Sequence, residues 1–182
     1  MSTIIDAVYR ETLDIVAKLE ESHEVSLAID AKRQFTKTFI LSAASYFEDQ
    51  IQKLLIEYIR RTTNDNNNVV NFVQNKAISF QYHTYFDWGK KGNPNEPGKN
   101  ANTFFSLFGN DFKTQINEEI EKNENIKTSM KCFIEIGHLR NILVHSNFAA
   151  YNNIPKTIEE LNDIFLKANE FVLFLAEYLL KI

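Results

Sequence analysis

Gly137-His138-Leu139-Arg140-Asn141-Ile142-Leu143-Val144-His145 closes an apolar run that begins near Met130. From Met130 to Val144 nearly every other position is Met, Cys, Phe, Ile, Leu or Val. A helix of that composition is hydrophobic most of the way round, so it belongs in a core or at an interface. Arginine and histidine are rarely fully buried without partners. Their presence in this run calls for a reason, and chemistry on a phosphodiester supplies one.

Outward from this stretch the chain reads as helix. Five Gly and three Pro in 182 residues favour long helices over tight turns. Fifteen Phe and seven Tyr make the core aromatic. The length suits one domain, and residues 1–182 are read as a single domain with a loop insertion at about 79–100. A helical period covers about 3–20, and a break follows at Glu21-Ser22-His23-Glu24. The second helix, about 28–62, carries Phe35, Phe39, Ala43, Phe47, Ile51, Leu54, Leu55 and Tyr58 on one stripe. Asn64-Asp65-Asn66-Asn67-Asn68 breaks it, and a shorter helix is expected at about 68–78. Helix resumes at about 101–108 and 110–124, and the motif helix is expected at about 126–144. After a loop at 146–155, Thr157-Ile158-Glu159-Glu160 is a capping box that starts the last helix. The fold class is therefore all-α: a bundle of four main helices, short extra helices and one aromatic-rich insertion.

The insertion holds Phe80, Tyr82, Tyr85, Phe86 and Trp88, then Gly89-Lys90-Lys91-Gly92-Asn93-Pro94-Asn95-Glu96-Pro97-Gly98-Lys99. The aromatics are expected to pack onto the bundle and the Gly/Pro/Lys tip to be mobile. Lys90 and Lys91 are candidate phosphate contacts.

Composition narrows the function. The net charge of −4 does not suit a non-specific nucleic-acid binder, so contact with RNA would be local. The lone Cys132 excludes an internal disulfide and fits a reducing compartment. The start, Met1-Ser2-Thr3-Ile4-Ile5-Asp6, lacks the signal-peptide pattern, and no apolar run is long enough to span a bilayer. The expectation is a cytoplasmic protein with no membrane contact.

Arg140 and His145 lie five residues apart, roughly 140° on a straight helix. Either the helix ends near Val144 and His145 swings round, or the two meet across a subunit interface. His138, Asn141 and His145 do share a face, and Asn141 could bond the His145 ring. An imidazole can move a proton near neutral pH, and a guanidinium matches a phosphate. RNA brings its own 2′-hydroxyl nucleophile, so no metal or other cofactor is required. His138 and His145 are separated by about 10 Å of helix rise, too far to share one zinc ion. His138 reads as a core or supporting residue, and Cys132 as a small hydrophobe.

Arg140-Asn141 followed by His145 resembles the R-x4-6-H signature of HEPN domains, where a polar residue follows the arginine. Leu139 to Ser146 is similar to the form found in RiboL-PSP-type HEPN proteins. So are Ser45-Tyr46-Phe47-Glu48-Asp49-Gln50-Ile51 and Asn102-Thr103-Phe104-Phe105-Ser106-Leu107-Phe108-Gly109. The resemblance spans about 30–180. It implies a helical bundle that forms a homodimer with motif helices face to face. It also implies a metal-independent endoribonuclease site, shared by the subunits, that acts on RNA. Arg140, Asn141 and His145 carry over as catalytic residues, and Glu48 as an acidic residue that orients them. Many such proteins are toxins or phage-defence effectors with an antitoxin or defence-system partner; others are catalytically inactive modules for dimerisation or binding. Toxins coupled to a nucleotidyltransferase antitoxin carry Tyr two residues after the motif His. This chain has Asn147 there, which argues against that subgroup. A nucleotide-binding role for Arg140 is disfavoured because no Gly-rich loop exists.

Overall fold

Thr3 and Thr157 open the first and last helices in the same way, each accepting from the N3 backbone amide while the N3 carboxylate (Asp6, Glu160) accepts from the cap amide. The computed structural model describes residues 3–181, so the outermost residues of the expected 1–182 domain lie outside the described part. Four long helices form the bundle: α1 Ile4–Glu21, α2 Val25–Thr62, α7 Glu124–His145 and α8 Ile158–Leu180. Between α2 and α7 come α3 Asn67–Val73, a π-helical turn Gln74–Ile78, α4 Tyr82–Tyr85, α5 Asn102–Ser106 and α6 Asn110–Glu121. No strand occurs among the described residues. The all-α expectation holds, with helix ends shifted by a few residues.

The core follows the i, i+4 stripe of α2. Phe39, Ala43, Phe47, Ile51 and Leu54 are buried. Phe47 stacks on Phe165 of α8 at 5.2 Å between centroids and meets Phe133 of α7 at 5.4 Å. The apolar run of α7 is buried as its composition requires, from Met130 through Leu143 on all but its Lys131, Glu135, Arg140 and Asn141 positions. α7 packs mainly against α8, and α2 crosses both.

The chain leaving α7 is tied down twice. Lys37 of α2 is 0% exposed; its ammonium donates to the Phe148 carbonyl at 2.9 Å and lies 5.2 Å from the Phe148 ring centroid. Lys156 pairs with Glu135 of α7 at 3.1 Å. Buried lysine heads need such partners. These ties hold the end of the motif helix.

The insertion differs from its expectation in one respect. Tyr82, Tyr85, Phe86 and Trp88 are buried against Phe104 and Phe133, as anchors should be, but Phe80 is 89% exposed with φ of 65°. The preceding π-helical turn ends in a backbone reversal that turns this one ring outward. The tip is closed by backbone hydrogen bonds. Gly89 bridges Pro97, the Lys90 amide donates to the Glu96 carbonyl, and the Gly98 amide to the Trp88 carbonyl. Gly89 sits at φ of 102°, and a Cβ there would collide with the Glu96 carbonyl.

Candidate active site

A cleft of about 630 Å³ lies between the last two turns of α7 and the insertion. That is a ligand-sized volume. From α7 it receives His138, Asn141, Ile142 and His145, with Ser146 just beyond. From the insertion it receives His83, Phe86, Asp87, Trp88, Gly89, Lys91 and Gly92.

Helical periodicity places the α7 side. His138, Asn141 and His145 stand at i, i+3 and i+7, so they form one row along the cleft. The helix continues through His145, and Ser146 then turns extended. His145 therefore does not swing round toward Arg140; the two remain on different faces. His145 is exposed at the mouth and Arg140 is half-buried beside the cleft.

Asn141 joins the two faces differently from the expectation. Its Oδ1 accepts from Arg140 Nη1 at 2.9 Å, so it steadies the guanidinium and makes no bond to the His145 ring. A neighbouring guanidinium is the stronger donor for that oxygen. His138 is 2% exposed, and its Nε2–H donates to the Asn93 carbonyl at 2.7 Å. This bond ties the insertion tip to the motif helix.

The insertion side is pressed onto α7 by Trp88. Its ring covers Gly137, where a Cβ would collide with Cζ3 of the indole. Its Nε1–H donates to the His83 carbonyl at 3.1 Å. Asp87 Oδ1 accepts from the Gly89 amide at 3.0 Å and shapes the turn. Lys91 reaches the cleft, whereas Lys90 pairs with Glu96 at 3.3 Å and lines a separate groove outside the tip.

Glu48 does not line the cleft. It is half-buried on α2 and accepts from Gln52 at 3.3 Å. It acts on the buried Tyr82 hydroxyl, whose pKa is pushed well above the ordinary range, first by burial and then by the Glu48 carboxylate, with Arg140 opposing. Cys132 is buried, and that burial pushes its thiol up, as an unreactive core cysteine requires. Among the described residues no three His, Cys, Asp or Glu side chains gather in a metal-holding group. No described helix is long and apolar enough to cross a membrane.

His83 and Asp87 escaped the sequence reading. The available signal was a polar residue set among aromatics that are all anchors, in Tyr82-His83-Thr84-Tyr85-Phe86.

The motif's asparagine and histidine thus share one cleft, with the arginine fastened alongside. No curated protein and no solved structure matches the chain. The family model for RiboL-PSP-HEPN matches residues 8–181, nearly the whole bundle together with the insertion, and the chain belongs to that family.

Proposed function

We propose that this HEPN domain is a metal-independent endoribonuclease that cleaves RNA through attack of its 2′-hydroxyl. One observation carries the reading: Asn141 and His145 of the motif line a ligand-sized cleft together with a cationic Lys91. His145 transfers the proton. Arg140, steadied by Asn141, binds the scissile phosphate and stabilises the phosphorane. Lys91 holds a phosphate in the cleft, and Lys90 meets the strand further out. Glu48 supports the site from α2 without lining the cleft.

The working unit is a homodimer. Arg140 and Val144 are one turn apart on the face next to the cleft row. Val144 is exposed there, as is Phe148 beyond it. A second copy seated on this face would cover both residues and bring two Arg140 side chains near two clefts. The family resemblance adds the biological role of a toxin or phage-defence effector in the cytoplasm, held in check by an antitoxin or other defence-system partner.

The test is incubation of the purified protein with RNA in excess chelator. Products with 2′,3′-cyclic phosphate ends are expected, with DNA left intact for want of the 2′-hydroxyl. Cutting of DNA, or complete dependence on Mg²⁺, overturns the mechanism. The rival reading is a non-catalytic binding or dimerisation module. It draws on the place of Arg140, which lies beside the cleft and does not line it.

A further inference from the structure

The chain has four histidines, and three of them, His83, His138 and His145, line this single cleft. They are not equivalent. His138 is buried and committed to the Asn93 carbonyl. His83 and His145 are exposed, and neither ring has a hydrogen-bond partner among the described residues. His83 is nonetheless held in place. Tyr82 before it and Tyr85 and Phe86 after it are buried, and the Trp88 indole pins its carbonyl. Anchors on both sides fix the backbone of His83, and the residue lines the same cleft as His145. Catalytic side chains need such support from rigid surroundings.

Cleavage by the 2′-hydroxyl needs two proton transfers. A base removes the 2′-hydroxyl proton as that oxygen bonds to phosphorus. An acid gives a proton to the 5′-oxygen as its bond to phosphorus breaks. One imidazole enters neutral and the other protonated, and they leave with the states exchanged. The family resemblance would draw both histidines from the two copies of His145. This chain offers a second source within one protomer.

We propose that His83 is the second proton-transfer group of the cleft, acting with His145 of the same chain. The other charged or titratable groups facing it are Asp87, Lys91 and the His138 ring. Lys91 supplies positive charge for the phosphate, and Asp87 is engaged in its turn. The inference rests on the ribonuclease reading and goes beyond it by making the insertion a catalytic element.

The experiment compares wild type, His83→Gln and His145→Gln in chelator, each first checked for native circular dichroism. Cleavage of RNA and of uridine 3′-(4-nitrophenyl phosphate) is followed across pH. For His83→Gln, kcat on RNA is expected to fall on the order of 10²-fold or more, with KM little changed and one limb of the bell-shaped profile lost. The 4-nitrophenolate leaving group needs no acid. Whichever variant lacks the acid should therefore recover on that substrate, while the variant lacking the base should not. Wild-type cleavage with a dead His145→Gln and a fully active His83→Gln overturns this inference and leaves the ribonuclease reading standing. A change in KM alone makes His83 a binding residue and also overturns it. Absence of cleavage by wild type removes the ribonuclease reading and this inference together.

Discussion

One wall of the cleft is a helix and the other is a loop, and they hold their side chains by different means. On α7 the backbone ladder fixes His138, Asn141 and His145, and their spacing alone aligns them. On the insertion no ladder exists beyond the four-residue α4 and a single bridge. There, position comes from burying Tyr82, Tyr85, Phe86 and Trp88 and letting what lies between them face outward. The helical wall is fixed by local geometry, while the loop wall depends on long-range packing. Mutations should therefore act locally on the first wall and cooperatively on the second.

The largest effect is expected on the helical wall and in the chemistry alone. His145→Ala removes a proton-transfer group from an exposed position, so cleavage should drop by on the order of 10²–10⁴ with little change in melting temperature. Arg140→Ala should reduce it comparably and weaken RNA binding as well. Gel assays of cleavage, filter binding and thermal melts would separate the three effects. A large loss of stability on His145→Ala would show that the helical wall is not the self-sufficient element described above.

Next in size is the seam between the walls. Gly137→Ala puts a methyl where the Trp88 ring now lies. The indole must move, at a cost of about 1–3 kcal/mol for overpacking. Because Trp88 also pins the His83 carbonyl, the whole loop wall should shift. The expected result in urea unfolding is a lower midpoint at unchanged slope, together with impaired RNA cleavage. An unaffected midpoint would mean that the loop wall rides loosely on α7.

This contrast also explains what could be read from the chain. The four long helices, the Thr157 capping box and the His138–Asn141–His145 row are all periodic or local signals, and each stands where its pattern places it. The bond from Arg140 to Asn141 was hidden because sequence does not say which of two neighbours an amide will choose. Glu48 was drawn toward the site by its place on the second helix, yet it does not line the cleft. The tip meets α7 through His138 reaching Asn93, 45 residues away in the chain, and no local pattern encodes that pairing. For the same reason Lys90 and Lys91, adjacent in sequence, part company between groove and cleft.

A smaller effect is expected where that tip is fastened. His138→Leu removes the bond to Asn93 and keeps an apolar side chain in a buried site. The net cost should be about 1 kcal/mol. Amide exchange should quicken at Lys90, Glu96 and Gly98, whose N–H groups close the turn, while α7 amides hold their protection. Most cleavage activity should survive, because His138 moves no proton in the mechanism. Unchanged exchange at the tip would mean that the Gly89–Pro97 bridge holds the turn without help from α7.

The smallest effect concerns Phe80, the one insertion aromatic that anchors nothing. At φ of 65° a phenylalanine adopts a conformation that costs roughly 1–2 kcal/mol relative to ordinary backbone, and asparagine tolerates it better. The ring is 89% exposed, so its removal forfeits almost no burial within the chain. Phe80→Asn should therefore raise the melting temperature by about 2–4 °C, for a gain of about 1 kcal/mol. Sedimentation should show dimerisation unchanged, since the proposed interface lies on the Arg140–Val144 face of α7. A lower melting temperature with weakened assembly would instead place Phe80 in the subunit contact. The loop wall would then be held from outside by the second copy as well as from inside by its buried rings, and the strained φ would be the cost of presenting Phe80 to that partner.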